Sequence, residues 1–481
     1  MPDVKEILSL MKNPSPADEA LITKALDFAI KVHEGQVRYS GEPYIIHPFA
    51  VAKNLAEMSA DPETIAAGLL HDIIEDHPDY TVELTKEFGP TVTFLVEGVT
   101  KLGKLKYQGQ ARHVESLRKL FVAMAEDLRV ILIRLADRLH NIQTLKFVPP
   151  NKQARIALET LEIYAPLANR LGMWKVKGAL EDASFPYAYP KEYKQVAALR
   201  KSKGKELIKK LEKVYRDLSQ ELAANNIADF EIDYRIKYLY SLWQKLKSHN
   251  MDIDEIYDLS ALRVIVRTIP ECYQVLGIIH NFWRPVPNRW KDYIAHPKPN
   301  GYRSLHTAVF AGDGSTVEIQ IRTHEMQHDA EYGIASHLIY DESGKPRVGG
   351  MMTKNMAWLQ ELIEWQKHVN ESDEFLHTLK TDFFQDRIFV FTPKGDVIEL
   401  PKNATALDFA YHIHSDIGHR AVGAWVNGKF TGLDHLLKNR DLIRIETKKT
   451  AKPTVKWLDL VKTTTARGHI RRFLQGKKTK G

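Results

Sequence analysis

His47, His71, Asp72 and Asp137 are ionisable side chains placed in or beside apolar runs: PYIIHP, GLLHDII and VILIRLADRL. A charged group in such surroundings is costly unless it is paired or bound to a metal. Two imidazoles and two carboxylates form a mixed nitrogen and oxygen donor set. That set suits Mn, Fe or Zn better than Ca, and the absence of thiolates argues against a closed structural zinc site. An ion held there would neutralise phosphate charge and lower the pKa of a bound water. Glu75 and Asp76 follow His71 and Asp72 by four residues and return to the same side of a helix, where one of them could orient or deprotonate the attacking water. Asn141 and Thr144, four and seven residues after Asp137, extend a polar stripe towards the same place, and Arg38 could hold a phosphate. His140 reads as a supporting histidine and not a ligand. The chemistry this implies is metal-assisted phosphohydrolysis.

A second group lies further on. TVEIQIRT (316–323) alternates strictly, so Val317, Ile319 and Ile321 face one way and Glu318, Gln320 and Arg322 the other. Alone, that would be an ordinary solvent face. Around it, however, Asp258 precedes the apolar run ALRVIVRT, DYRIKYLYS supplies Arg235 and Lys237, and RWKDYI supplies Arg289 and Lys291. PKPNGYRSLHT adds Lys298, Asn300, Tyr302 and His306. Two carboxylates, several cations and an aromatic ring in a Gly-containing loop are what phosphoryl-type transfer requires: a metal, charge neutralisation and a platform for a base. No Walker A sequence is present, which excludes a P-loop enzyme.

The elements that must position these residues follow from periodicity. Residues 1–190 read as helical, with apolar segments such as Ala20 to Val32 and Leu117 to Leu145, and breaks at Pro149-Pro150 and around Pro186 to Pro190. A charged amphipathic helix follows, with Leu207, Leu211, Val214, Leu218 and Leu222 on one face. Residues 228–340 switch to α+β, and 341–351 form a Gly-containing break. Residues 352–380 read as a helix with Trp358, Leu362 and Trp365 on one face. DRIFVFTPKGDVIEL then reads as strand, turn, strand, and Asn427-Gly428 as a hairpin turn. At 481 residues, several domains are expected. One cysteine, Cys272, excludes a disulfide scaffold and fits a reducing cytosol. The N-terminus lacks an uninterrupted apolar core, and no stretch of about 18 apolar residues occurs, so the expected location is cytoplasmic, with no membrane span. The net charge of +7 is a mild excess, concentrated partly in Arg467, Arg471, Arg472, Lys477 and Lys478; it suits acidic partners without identifying them.

RYSGEPYIIHP, LLHDIIED and LADRLHNIQTL resemble the hydrolase domain of long RelA/SpoT homologues. GYRSLHT with EIQIRT resembles their synthetase domain, and DRIFVFTPKGDVIELPKNATALDFAYHIHSDIGHR resembles their TGS domain. The resemblance implies an all-α HD hydrolase domain (1–190), a helical linker (191–227) and an α+β, nucleotidyltransferase-like synthetase domain with a mixed sheet (228–340). A second helical linker (341–385), a small β-grasp TGS domain (386–448) and a basic helical tail (449–481) that looks like the start of a further region complete it. It further implies Mn²⁺ at the hydrolase site and Mg²⁺ at the synthetase site, with Asp258 and Glu318 as metal carboxylates and Glu318 also a candidate base. Arg235 and Lys237 would bind ATP phosphates, Tyr302 would stack on guanine, and Lys298, Asn300 and His306 would help hold the acceptor. Gln320 belongs to the same substrate face, and Arg289 and Lys291 match the basic RxKD form of a motif seen in bifunctional members. His414, in HIHSD, is the expected tRNA-sensing position, with uncharged tRNA and the ribosome as partners. The implied activity is bifunctional: removal of the 3′-pyrophosphate from (p)ppGpp, and pyrophosphate transfer from ATP to GDP or GTP, in opposing conformations. A hydrolase with a degenerate, nucleotide-sensing synthetase domain, and a tRNA- or ribosome-binding regulator, are the alternatives. Tyr39 and His77-Pro78 depart from the family pattern beside the hydrolase site.

Overall fold

The helical periodicity of the first 190 residues is realised as α1 (Val4–Leu8), α2 (Pro16–Val32), α3 (Ile46–Glu57), α4 (Pro62–Leu70), α5 (Ile73–Asp76), α6 (Thr81–Gly103), α7 (Gln110–Glu126), α8 (Arg129–Gln143), α9 (Pro150–Glu159), α10 (Ala165–Arg170) and α11 (Trp174–Ala188). The computed structural model describes residues 2–103, 110–253, 260–298, 300–311, 316–337 and 387–478, with single positions between 359 and 379. Local chemistry starts the helices. Ser15 and Asp18 form a reciprocal capping box ahead of α2, and Asp61 caps α4, each followed by a proline that needs no N–H partner there. Helices α3, α4 and α8 pack together, and their Leu55, Ile65, Leu69, Ile131 and Leu135 are fully buried. The expected continuous segment Leu117 to Leu145 is divided in two, because the Asp127 carboxylate accepts from Arg129 N (2.8 Å) and pairs with its guanidinium (2.7 Å). At the other end, α11 runs through Pro186. The break falls at Tyr189 (φ −138°), which precedes Pro190 and is therefore driven out of the helical region.

The stretch expected as a linker, 191–227, is a single helix, α12 (Pro190–Ala224). Its Leu211, Val214, Leu218 and Leu222 enter the same core as Leu262, Val264, Ile319 and Ile321 of the following sheet, so its second half is part of that domain and not a spacer. The Leu207 side chain lies outside the described residues. The sheet comprises β1 (Phe230–Ile236), β2 (Ser260–Val266), β3 (Lys291–Asp292), β4 (Leu305–Phe310) and β5 (Thr316–Thr323) in the order β1-β2-β5-β4-β3. It is mixed: β2 and β5 are parallel, with Ala261 opposite Glu318, and the other pairs are antiparallel. Three helices accompany it, α13 (Leu239–Ser248), α14 (Ile269–Phe282) and α15 (His324–Tyr332). The expected strands ALRVIVRT and TVEIQIRT are β2 and β5.

Residues Met1–Glu361 form one compact unit and Leu362–Gly481 a second. The second pairs β6 (Arg387–Phe391) with β7 (Val397–Pro401) and orders β8 (Ala421–Val426), β9 (Lys429–Thr431) and β10 (Ile443–Thr447) as β10-β8-β9. The β8–β9 turn has Asn427 and Gly428 both at positive φ (50° and 82°), the hairpin geometry expected of that dipeptide. Helix α16 (Ala406–Ile413) lies on these strands through Phe409, and α17 (Ser415–Arg420) follows. After α18 (Trp457–Leu460), the basic tail forms α19 (Thr464–Lys478). Its Ala466 and Ile470 are buried against Leu407 and Tyr411 of α16. The expected second linker lies largely outside the described residues, including Trp358 and Trp365, whereas Leu362 is buried. Among the described residues no helix is long and apolar enough to cross a membrane.

Candidate active sites

Three elements carry the first site. His47 sits in the first turn of α3, His71 and Asp72 form the turn between α4 and α5, and Asp137 lies in the middle of α8. One ligand atom each from His47, His71 and Asp137 lies within 4.8 Å of the others, and all three residues are buried. Asp72 joins them, with carboxylate oxygens 3.1 Å from His71 Nε2 and 3.6 Å from His47 Nε2. Each imidazole is oriented by its other nitrogen. His71 Nδ1 donates to Gly68 O (2.8 Å), leaving Nε2 without a hydrogen-bond partner. His47 Nδ1 lies 2.8 Å from His140 Nδ1, which also receives Arg38 Nη1 (3.0 Å). Burial first, then the neighbouring His47 and Arg38, pushes His140 down to about 3, so it is the neutral acceptor. It thereby fixes the His47 ring with Nε2 facing the carboxylates. Convergent nitrogen lone pairs and carboxylates, one of the nitrogens orphaned and buried, are a donor set that fits a divalent metal ion.

Around the cluster, burial opposes ionisation of Asp72, but His71, His47 and the Tyr44 hydroxyl (2.8 Å) outweigh it and hold the carboxyl below its ordinary range. Asp137 is lower still despite its burial, through His47 and the Arg134 guanidinium at 2.9 Å. Asn141 donates to Asp137 and accepts from Arg38 Nη2 (2.9 Å). Arg38, expected to hold phosphate, is therefore turned towards His140 and Asn141. The Thr144 hydroxyl donates to His140 O (2.9 Å), four residues back. Glu75 is half-buried beside the turn, and the Asp76 side chain lies outside the described residues. Tyr44 and Arg134 were not anticipated; a tyrosine three residues before His47 carries no spacing signal of its own.

The second site is built on one face of β5. That face is not a solvent face, because Gln320 and Arg322 are only 1% and 3% exposed. A closed ring of hydrogen bonds explains how these polar groups tolerate burial. Arg322 Nη2 donates to the Tyr302 hydroxyl (2.8 Å) and to Gln320 Oε1 (2.8 Å). The Tyr302 hydroxyl donates to His306 Nε2 (2.7 Å), His306 Nδ1 lies 3.3 Å from Glu318 Oε1, and Gln320 Nε2 donates to the same oxygen (2.8 Å). Burial first, with Arg322 and Lys298 nearby, lowers His306 to about 4, so it is neutral and donates from Nδ1. Glu318 is held down to about 2; burial opposes this, but the bonds from His306 and Gln320 and the charge of Arg235 prevail. Arg322, absent from the expected site residues, closes the ring.

Two cavities meet at His306. One, of about 280 Å³, is lined by Arg235, Lys237, Lys298, Tyr302 and Arg322. The other, of about 360 Å³, is lined by Arg289, Lys291, Lys245, His249 and Glu318. Arg235 and Lys237, expected at ATP phosphates, thus share the first cavity with Lys298, Tyr302 and His306 of the expected acceptor set, while Arg289 and Lys291 face the second. Tyr302 is 8% exposed, with Lys298 Nζ 4.9 Å from its ring centre. Asn300 Nδ2 reaches Asn169 O at the end of α10 (3.4 Å). Asp258 lies outside the described residues. In the second unit, His414 caps α17, accepting from Asp416 N (3.2 Å), and its side chain is 63% exposed.

The sequence matches an HD domain over 25–174, the region found in RelA/SpoT proteins over 234–345, and a TGS domain over 388–447. It is 47% identical to a GTP pyrophosphokinase of Myxococcus xanthus, over 96% of this chain and 61% of the relative. It is 46% identical to a guanosine-3′,5′-bis(diphosphate) 3′-pyrophosphohydrolase of Aquifex aeolicus, over 98% and 66%. It is 44% identical to the bifunctional (p)ppGpp synthase/hydrolase SpoT of Escherichia coli, over 93% and 63%. The chain belongs to the RelA/SpoT family. It spans about six-tenths of the length of these relatives. In this RelA/SpoT chain the HD match ends at Trp174, the first residue of α11, and the synthetase match begins only at Tyr234, within β1.

Proposed function

We propose that the chain is a bifunctional enzyme of guanosine 3′-pyrophosphate metabolism. The observation that carries the reading is one compact unit holding both a buried His/His/Asp cluster and a carboxylate, Glu318, tied into a polar ring where two basic cavities meet. At the first site, His47, His71, Asp72 and Asp137 hold a divalent ion, by preference Mn²⁺. That ion, when bound, supplies charge neutralisation and activation of water. His140, Tyr44 and Arg134 keep the imidazole lone pairs and the ionised carboxylates aimed inward. Water adds to the phosphorus of the 3′-pyrophosphate, the bond to the ribose 3′-oxygen breaks, and GDP or GTP leaves with pyrophosphate released. Glu75 and Asp76 are the candidates for the water's proton, and Asn141, with Arg38 behind it, orients Asp137 beside the substrate.

At the second site, the 3′-hydroxyl of GDP or GTP attacks the β-phosphorus of ATP, the bond between α- and β-phosphates breaks, and AMP leaves. Arg235, Lys237, Lys298 and Arg322 neutralise phosphate charge, and Mg²⁺ is the metal for Asp258 and Glu318. A carboxylate as acidic as Glu318 orients the hydroxyl and binds metal more effectively than it removes a proton, so its base role is secondary to positioning. Tyr302 offers the base platform, and Asn300, Gln320 and His306 fix the loop and strand that present it. The second unit, through His414, is the candidate contact for uncharged tRNA and the ribosome.

The test is a pair of assays on this chain. Asp72→Ala with ATP, GDP and Mg²⁺ should form ppGpp and AMP, and the wild type with ppGpp and Mn²⁺ should release pyrophosphate. Failure of the first would reduce the reading to a hydrolase, and failure of the second to a synthetase.

A further inference from the structure

Helix α11 presents one face to the synthetase cavity. Trp174, Lys175, Lys177, Gly178 and Glu181 all line it. The helix is fastened there by several independent contacts. Asp182 accepts from Leu239 N (3.1 Å) and Tyr240 N (3.0 Å), capping α13, whose own preceding residue, Tyr238, provides no side-chain cap. Ser241 donates to Glu181 (3.1 Å), and Lys175 Nζ donates to the Tyr332 hydroxyl (2.8 Å). Gly178 is the position where the Tyr238 ring lies against the helix; a Cβ there would collide with it.

Two ammonium groups share the Trp174 indole. Lys177 Nζ lies 4.8 Å from the ring centre and Lys298 Nζ 5.6 Å from it, the first from α11 and the second from the loop carrying Tyr302. Placing two cations against one aromatic ring is unfavourable in the absence of an anion. Burial first, and then Lys291, Arg235 and Lys177, lowers Lys298 to about 8. Lys177 pairs with Glu181 at 3.4 Å, whose carboxyl burial pushes up towards its neutral form. On the same cavity walls, Trp174 Nε1, Arg263 Nε and Arg322 Nε are buried donors without hydrogen-bond partners. Unpaired donors and crowded cations call for a multiply charged oxyanion.

We infer that Lys177 is a phosphate-binding residue of the synthetase cavity, seated by Trp174 so that a nucleoside polyphosphate bridges it to Lys298. The inference rests on the nucleotide-binding reading of that cavity and adds a wall to it from outside the residues the synthetase match covers. The test is calorimetric titration of the full chain with GDP and, separately, with α,β-methylene ATP, comparing wild type, Lys177→Met and Lys177→Arg. A lost charge-assisted bond corresponds to a dissociation constant raised about ten- to a hundredfold for whichever nucleotide places its phosphates there, with Arg restoring most of it. Pyrophosphate release from ppGpp with Mn²⁺ should change by less than about twofold, because Lys177 lines the other cavity, against Trp174 and Glu181. Unchanged affinity of Lys177→Met for both nucleotides, or loss of hydrolysis together with affinity, overturns the assignment while leaving the cavity's function intact. A wild type that binds neither nucleotide overturns both.

Discussion

Tyr302→Phe separates stacking from positioning at the synthetase site. The substitution keeps the ring and deletes one oxygen, which bonds His306 Nε2 at 2.7 Å and Arg322 Nη2 at 2.8 Å. The hydroxyl–imidazole bond is worth roughly 1 kcal/mol and the guanidinium bond about 2, so about 3 kcal/mol of organisation is lost at a residue only 8% exposed, where water cannot readily replace it. Arg322 retains Gln320 as a partner, but His306 loses the donor that holds its tautomer and with it the aim of Nδ1 at Glu318. If half of the loss is expressed in the reacting geometry, kcat falls about tenfold, and if all of it is, more than a hundredfold. The phenyl face is unaltered, so KM for the nucleotide should rise by no more than about threefold. The assay is ppGpp formation from ATP and GDP with Mg²⁺ in an Asp72→Ala background, with kcat and KM resolved. A kcat within about threefold of the parent, or a KM effect with kcat untouched, would refute the ring as a positioning device.

Three further outcomes are expected. Removing metal with a chelator, or substituting His71→Ala, should abolish hydrolysis while leaving the affinity of the synthetase cavity for GDP unchanged, as calorimetry would register. Nucleotide affinity should depend on Lys298: its folded-state pKa lies near 8, a bound phosphate raises it, and binding therefore takes up a proton. Affinity should accordingly be full below pH 8 and fall as pH rises through that value, and Lys298→Arg should flatten the profile. Gly178→Ala should force the Tyr238 ring away from α11 and weaken nucleotide binding, and Tyr238→Ala in the same chain should recover part of the loss, read as a double-mutant cycle.

The clustering of His47, His71, Asp72 and Asp137 was legible because ionisable residues in apolar runs need a reason, and these four come together in space. The alternation of TVEIQIRT likewise announced which side chains of β5 share a face. What covers that face was not legible. Period two says that Gln320 and Arg322 point together, but not that Tyr302 and His306, from the loop and strand before β5, close a hydrogen-bonded ring over them. The apolar stripe of α12 was equally visible, yet a stripe does not name its partner, and the helix proved to complete the sheet's core. Thr144 shows a different limit of spacing. Its helical spacing from Asp137 was sound, but a threonine hydroxyl has a nearer acceptor in the carbonyl four residues behind it. Asp182 carried no signal as a cap, because its helix begins 57 residues later.

That cap has a consequence for inheritance. The first turn of α13 begins two residues after Lys237, and it depends on a carboxylate that precedes α12 in sequence. A recombination event between relatives that fell between α11 and β1 would join an uncapped helix to a foreign wall, and the cavity between them would lose its match. Selection should therefore transmit α11 and the sheet from β1 to β5 as a single block. A fragment cut to carry synthesis alone should begin before Trp174, well upstream of the place where the sheet begins.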